Sequence, residues 1–255
     1  GASMTSGLAG MNGLEAIFAN PAGLALNTGT AAIFSRMNYV ADIGVSYFGI
    51  GQNFGNNNIA FTVSTWDFGD IPLQTESAPE ISSVTYGATF MTAGLTYARV
   101  FTDRISAGTT LKVVSESIDD VNASAIAFDA GMTYVVGESG LRLGVALKNI
   151  GTKLQYGGVG LTRQVQLPDQ TSSATNNAVQ LESEGVELPS LLNVGVSYTR
   201  EMGAGAMVTV LGNFRSNSFD QDQYSGGVEV ALFDVLYLRG GMDIVGDSDL
   251  SFYNG

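Results

Sequence analysis

The chain has no cysteine, no histidine, five prolines and only 14% charged residues among its 255. Without histidine or cysteine there is no Ser-His-Asp or Cys-His nucleophile system, no imidazole general base and no ordinary zinc or iron–sulfur site. Only carboxylates, hydroxyls, lysine and tyrosine remain for chemistry, so the composition points away from an enzyme and calls for no cofactor. Disulfides are excluded as well, which leaves no mark of redox compartment. Positive charge is scarce: 11 Lys and Arg stand against 24 Asp and Glu, a net charge of −13. That excludes a nucleic-acid partner, which requires a basic stripe. Long apolar runs are missing too, so no helix of this sequence crosses a membrane. No basic segment followed by an apolar core opens the sequence. What the chain does have is 33 glycines and a mean hydropathy of +0.17. An apolar, weakly charged, glycine-rich chain without apolar helices is either a soluble all-β protein or a β-barrel that faces lipid.

Period-2 alternation dominates the sequence and marks strands. Leu141, Leu143, Val145 and Leu147 alternate with Arg142, Gly144, Ala146 and Lys148. Ile126, Phe128, Ala130, Met132 and Tyr134 alternate with Ala127, Asp129, Gly131 and Thr133. Segments 105–114 and 192–199 behave alike. One face is large and apolar; the other is Gly, Ala, Ser and Thr with a scattered Lys, Arg or Asp. A soluble sandwich wets its outer face with Lys, Glu and Arg. A crowded barrel interior with the apolar face turned to lipid has the composition seen here.

Eleven strands follow, at roughly 30–38, 43–52, 59–66, 91–101, 104–115, 123–136, 141–150, 190–200, 206–216, 224–233 and 235–245. Connections after even-numbered strands are short (53–58, 102–103, 137–140, 201–205, 234). Those after odd-numbered strands are mostly long (67–90, 116–122, 151–189, 217–223), with 39–42 the exception. Short turns at one rim and long loops at the other is the outer-membrane barrel pattern, with the short side periplasmic. Sixteen of the 24 acids fall on or beside the long-loop rim. Phe101, Tyr134, Tyr198, Phe233 and Tyr237 sit against the short turns, where an interfacial girdle lies. An odd strand number does not close a bacterial single-chain barrel. Ser251-Phe252-Tyr253-Asn254 also supplies no terminal strand ending in an aromatic, so the expectation is a barrel of about fourteen strands lacking its C-terminal ones.

Residues 1–29 differ in kind. Leu14–Ala19 reads as a short helix ended by Asn20-Pro21, and Pro21–Ala25 as a turn into the first strand. The division expected is a plug segment at 1–29 and a barrel at 30–255. The plug motif is Asn20, Pro21, Ala22, Gly23 and Leu24.

Glu15–Ala25, with its Asn-Pro-Ala-Gly-Leu-Ala core, resembles the segment near the mature start of the PorV/PorQ family, relatives of FadL-type barrels. Leu95–Ala98, Phe128–Tyr134, Gly144–Gly151, Leu188-Pro189 with Asn193–Tyr198, Gly227–Val230 and Leu238–Gly241 extend the resemblance in order along nearly the whole chain. The glycine-rich stretch usual upstream is only partly echoed by Ser6–Met11. The resemblance implies a fourteen-stranded antiparallel up-and-down barrel in the bacterial outer membrane, with an N-terminal plug. It also implies a non-enzymatic accessory role in type IX protein secretion, with a translocon or cargo protein as partner at the rim. FadL-like relatives instead pass hydrophobic small molecules through a lateral opening, which makes a hydrophobic ligand the alternative. A soluble sandwich or adhesin ranks last because of the loop asymmetry.

Lys112, Asp129, Arg142, Lys148, Glu229 and Arg239 fall on the small-residue parity and so face the lumen. The cations there either meet an anionic solute or pair with the inward acids, and pairing is the favoured reading because unpaired buried charge is costly. Asp243, Asp247 and Asp249 have carboxylate spacings that suit Ca²⁺ only weakly, since the glycine and terminal glutamate of an EF-hand are absent, and no metal is expected. Asp119-Asp120 is weaker still. Segment 151–189 is too long for an ordinary connection and reads either as an external lid or docking loop or as a plain surface loop.

Overall fold

The computed structural model describes residues 11–39, 43–72, 85–165, 177–203, 205–233, 235–245 and 251–254. Twelve strands form one antiparallel up-and-down sheet that makes a barrel wall: β1 (Thr30–Asn38), β2 (Gly44–Phe54), β3 (Asn57–Pro72), β4 (Thr85–Thr102), β5 (Ile105–Ile118), β6 (Val121–Val136), β7 (Leu141–Gly151), β10 (Leu191–Gly203), β11 (Ala206–Asn217), β12 (Gln223–Leu232), β13 (Leu236–Val245) and β14 (Ser251–Asn254). Between β7 and β10, β8 (Thr162–Val165) and β9 (Asn177–Gln180) pair with each other as a separate ribbon.

The wall is inside-out relative to a water-soluble protein. Leu111 is 57% exposed while its neighbour Lys112 is 8% exposed; Phe128 is 45% exposed and Asp129 3%. Phe34, Leu95, Ile126, Leu143, Leu192 and Val228 share the outer face, and Ala60, Thr96, Thr110, Ala146, Asn193 and Ser197 are buried inside. In a strand successive side chains take opposite faces, so the alternation in the sequence becomes this division directly. An outer face this apolar suits hydrocarbon and not water.

Four sequence expectations need correction. Residues 251–254 do form a strand, paired to β13 from Gly240↔Asn254 to Asp243↔Ser251, so the sheet has twelve strands and not eleven. The pairing is supplied by the backbone, which residue patterning does not show. β3 and β4 run well past the apolar alternation, shortening the loop expected at 67–90 to 73–84. Likewise β5 and β6 climb together to a two-residue turn at Asp119-Asp120, with Asp119 at φ 51, where a seven-residue loop was expected. A tight hairpin whose first turn residue has positive φ matches the right-handed strand twist. Finally, Leu14–Phe18 and Pro21–Leu26 are two 3₁₀ turns rather than one helix and a turn. The fixed φ of Pro21 opens the second, and the Asn20 side chain caps it by accepting from the Ala22 N–H at 2.9 Å.

The rim asymmetry persists through these changes. At one rim the strands are joined by two to four residues (55–56, 103–104, 137–140, 204–205 and 233–235); at the other the strand ends at Pro72 and Thr85 and those at Gly151 and Leu191 are far apart in the chain, whereas Asp119-Asp120 is a two-residue turn and 39–43 and 218–222 are short. Phe101, Tyr198, Phe233 and Tyr237 stand exposed at the short-turn rim, while Tyr134 is half-buried there.

Candidate functional site: the lumen between two closures

One rung of inward-facing residues crosses seven strands in direct register: Asn53, Asn58, Ala98, Gly108, Gly131, Ala146 and Asn193. It starts beside the short turn at 55–56 and ends at Asn193 near the long-loop end of β10, and its middle members form the seat of residues 11–29. A Cβ on Gly108 would lie 2.5 Å from the Pro21 carbonyl oxygen, and one on Gly131 would lie 1.9 Å from Asn20 Oδ1. Glycine there permits the close approach. The amides at the rung bind the segment's backbone: Asn58 Nδ2 donates to the Ala25 carbonyl (3.0 Å) and Asn53 Nδ2 to that of Asn27 (3.2 Å). Asn20 Nδ2 donates to the wall at the Met132 carbonyl, 3.2 Å away. Leu14, Ile17, Leu24 and Ala25 complete the contact in an apolar cluster with Ala60 and Ala98. Thus Asn20, Pro21, Ala22, Gly23 and Leu24 are all buried inside the wall, and Gly23 lets the two 3₁₀ turns touch, since its Cβ would meet that of Ala16 at 2.3 Å.

The next two rungs toward the long-loop end of these strands hold the charged centre, Asp129 level with Thr96 and Thr110 and Lys112 one rung beyond. Lys112 Nζ lies 2.7 Å from Asp129 Oδ1 and 2.8 Å from Oδ2, with both side chains almost fully buried. Thr96 and Thr110, whose hydroxyls are 2.8 Å apart, sit beside the pair on β4 and β5. Opposite Asp129 the β6–β7 ladder is interrupted: Ala130 pairs with Leu147 but Phe128 with Ile150, so Lys148 and Asn149 together face one residue. This is a β-bulge, and Asn149 takes φ 61 within it. Both Leu147 and Ile150 consequently point outward, and the polar pair between them faces inward. Asn149 donates its N–H to Asp129 Oδ1 (2.8 Å), accepts from Lys112 Nζ at Oδ1 (2.5 Å), and donates from Nδ2 to the Pro189 carbonyl (2.6 Å). Lys148 Nζ donates to the Phe18 carbonyl of the N-terminal segment. A small cavity of about 70 Å³ remains above Ile17 and Phe18, walled by Thr62, Thr92, Lys112 and Lys148.

Other sequence-predicted residues lie apart from this centre. Glu229 and Arg239 pair across β12–β13 at 2.5 Å, partly exposed, with the Arg239 guanidinium 5.3 Å over the Tyr237 ring. Arg142 lies half-buried near the start of β7, away from the buried pair. Among the described residues no group of three or more Asp, Glu, His or Cys is placed to hold a metal; Asp243 is described, whereas Asp247 and Asp249 lie outside the described residues. Sequence reasoning missed Asn149 because simple alternation assigns it outward; the displaced apolar residue Ile150 was the available signal. It also missed Arg215, whose Nε donates to Asn193 Oδ1 at 3.1 Å.

At the long-loop rim the segment after β7 folds back over the lumen. Leu154 pairs by backbone with Val186, and Gly157 with Asn122. Leu154 and Leu188 are buried on the inner-wall alanines Ala123, Ala125 and Ala127, with Val114 and Tyr156 alongside. The Tyr156 hydroxyl donates to Glu116 Oε2, and this bond, reinforced by desolvation, pushes its pKa up to about 12. Above this closure an open cavity of 520 Å³ is lined by Lys153, Gln155 and residues 182–185.

No protein-family model matches the chain, and no curated protein matches it by sequence. Solved structures do match, over nearly all of it. The Pseudomonas putida toluene transporter TodX superposes with a TM-score of 0.58 at 11% identity, covering 94% of this chain and 81% of that one. The fold is shared. A monoaromatic hydrocarbon channel, CymD, gives 0.57 at 13% identity over 97% and 84%. A TodX deletion variant, also a monoaromatic hydrocarbon channel, gives 0.56 at 10% identity.

Proposed function

We propose that the chain is a FadL-like channel of the bacterial outer membrane that admits hydrophobic small molecules. The observation that carries this is the apolar outer closure. Leu154 and Leu188 rest on Ala123, Ala125, Ala127 and Val114, an apolar landing at the long-loop mouth that complements the apolar cluster at the plug, with the Lys112–Asp129 centre between the two. The fold shared with a toluene transporter and monoaromatic hydrocarbon channels supports the same reading. In it, residues 1–29 plug a barrel formed by 30–255, and the Asn20–Leu24 motif anchors the plug on the Gly108–Gly131 seat. Lys112, Asp129, Arg142, Lys148, Glu229 and Arg239 set the polarity of the lumen wall, and the outer face meets membrane lipid. The secretion-accessory role implied by the PorV/PorQ resemblance gains no support from these neighbours, whose names are those of a transporter and channels.

The test is uptake of radiolabelled toluene by cells whose outer membrane carries this barrel in place of their own hydrocarbon channel. Faster uptake is expected, slowed when Leu188→Glu places a charge on the apolar landing. Uptake equal to that of cells without the barrel, together with a large partner barrel co-purifying in mild detergent, would overturn the channel reading in favour of secretion.

A further inference from the structure

The two closures of the lumen are fastened at adjacent residues of one bulge. Lys148 holds the plug through the Phe18 carbonyl, and Asn149 holds the outer closure through the Pro189 carbonyl. In a regular strand these neighbours would point to opposite faces, so only the bulge lets both reach into the lumen. We propose that the Lys148–Asn149 bulge couples the inner plug to the outer closure, so that releasing either one loosens the other.

The geometry leaves the bulge little freedom to answer one closure alone. The Asn149 N–H is bound to Asp129 Oδ1, its Oδ1 to Lys112 Nζ, and Lys112 in turn to both Asp129 oxygens. Every polar group of Asn149 that faces the lumen is therefore committed. When Pro189 withdraws, the partly exposed Asn149 amide loses its acceptor, and with it goes the bond that holds the bulge against the outer closure. The Asn149 side chain is then free to leave Lys112, and the slack gained in the bulge passes to the adjacent Lys148 and its bond to the Phe18 carbonyl. The plug then keeps its glycine seat but loses its charged tether. The same chain of bonds runs in reverse, because coupling between two equilibria is reciprocal. A solute that parts Leu154 from Leu188 at the outer mouth thereby weakens the inner plug before reaching it. The inference rests on the channel reading only for what the closures control; the coupling itself is a property of the wall.

The absence of cysteine makes the test direct, since an introduced thiol is the sole one. Ala25→Cys reports on the plug, buried against Ala60 and Ala98, and Ala123→Cys reports on the outer closure beneath Leu154 and Leu188. Each is placed in the whole chain in lipid vesicles and reacted with a water-soluble maleimide. Asn149→Gly tolerates the positive φ and keeps the bulge while deleting the amide. It is expected to raise labelling at Ala25→Cys as well as at Ala123→Cys, by about tenfold each. Lys148→Met is expected to raise labelling at Ala123→Cys as well as at Ala25→Cys. If each variant frees only the closure it touches, or neither thiol responds, the coupling is overturned. Should Asn149→Gly fail to reach the compact unheated form on gels, Leu154→Ala loosens the outer closure without touching the bulge. Increased labelling at Ala25→Cys then supports the coupling and unchanged labelling overturns it. No solute is used, so this result stands apart from toluene uptake.

Discussion

Gly108 and Gly131 stand opposite one another across the β5–β6 ladder, and Pro21 and Asn20 occupy the volume that side chains at those positions would need. The seat of the plug is therefore an absence of side chains shared by two strands. Gly131→Val is expected to expel the plug while leaving the wall intact, because the intruding group meets the Asn20 side chain and not the ladder. Overpacking of this kind costs about 1–3 kcal/mol. Planar-bilayer recordings should show a larger conductance than the parent barrel, with an unchanged heat-modified gel shift.

Lys112 and Asp129 make a second prediction. Lys112→Met strands a buried carboxylate and should cost about 3–5 kcal/mol, whereas Lys112→Met with Asp129→Leu removes both charges and should recover much of that loss. Recovery will be incomplete, because the Asn149 N–H also loses its acceptor. Urea unfolding in lipid vesicles, read by tryptophan fluorescence from Trp66, measures both.

How much of this was legible in the sequence follows from what alternation can and cannot encode. It assigned Leu111 outward and Lys112 inward, because a strand's side-chain period is fixed at two. It misassigned Asn149, because a bulge adds one residue and inverts every parity beyond it. The rung from Asn53 to Asn193 was invisible for another reason: its members are far apart in the chain, and only the strand registers bring them level. Proline and asparagine at 20–21 signalled a break in the helix, but not that the break would be capped and buried on two glycines. The outer closure escaped in part as well, since Leu154 and Leu188 lie at opposite ends of a long polar segment.

Tyr156 gives a pH signature. Its phenol donates to the Glu116 carboxylate, which favours the neutral form and holds the pKa at about 12 against an ordinary 10. A tyrosine whose folded pKa is raised contributes stability in full below pH 10, and loses it as the pH climbs through 12. Ultraviolet titration at alkaline pH should therefore show a late tyrosinate step whose amplitude falls by one tyrosine in Tyr156→Phe and whose Tyr156 share moves toward the ordinary value in Glu116→Gln. A Tyr156→Phe difference spectrum with its midpoint near the ordinary value would contradict the bond.

Leu111, on the lipid side of the same strand as Lys112, supplies the contrasting case. Leu111→Arg should cost about 2–4 kcal/mol if its position lies near the bilayer midplane. Folding yield into vesicles of increasing chain length is the measurement, and equal yields for parent and variant would show that the outer face does not meet hydrocarbon.

The inside-out alternation also bears on how such a chain is delivered. A wall apolar enough to live in lipid is built from strands in which every second residue is small or polar, so no stretch of the unfolded chain is continuously oily. An export machine that halts and releases sideways whatever is oily enough to span would find nothing here to halt. The apolar surface of this wall thus does not exist along the chain and is assembled only when the strands pair.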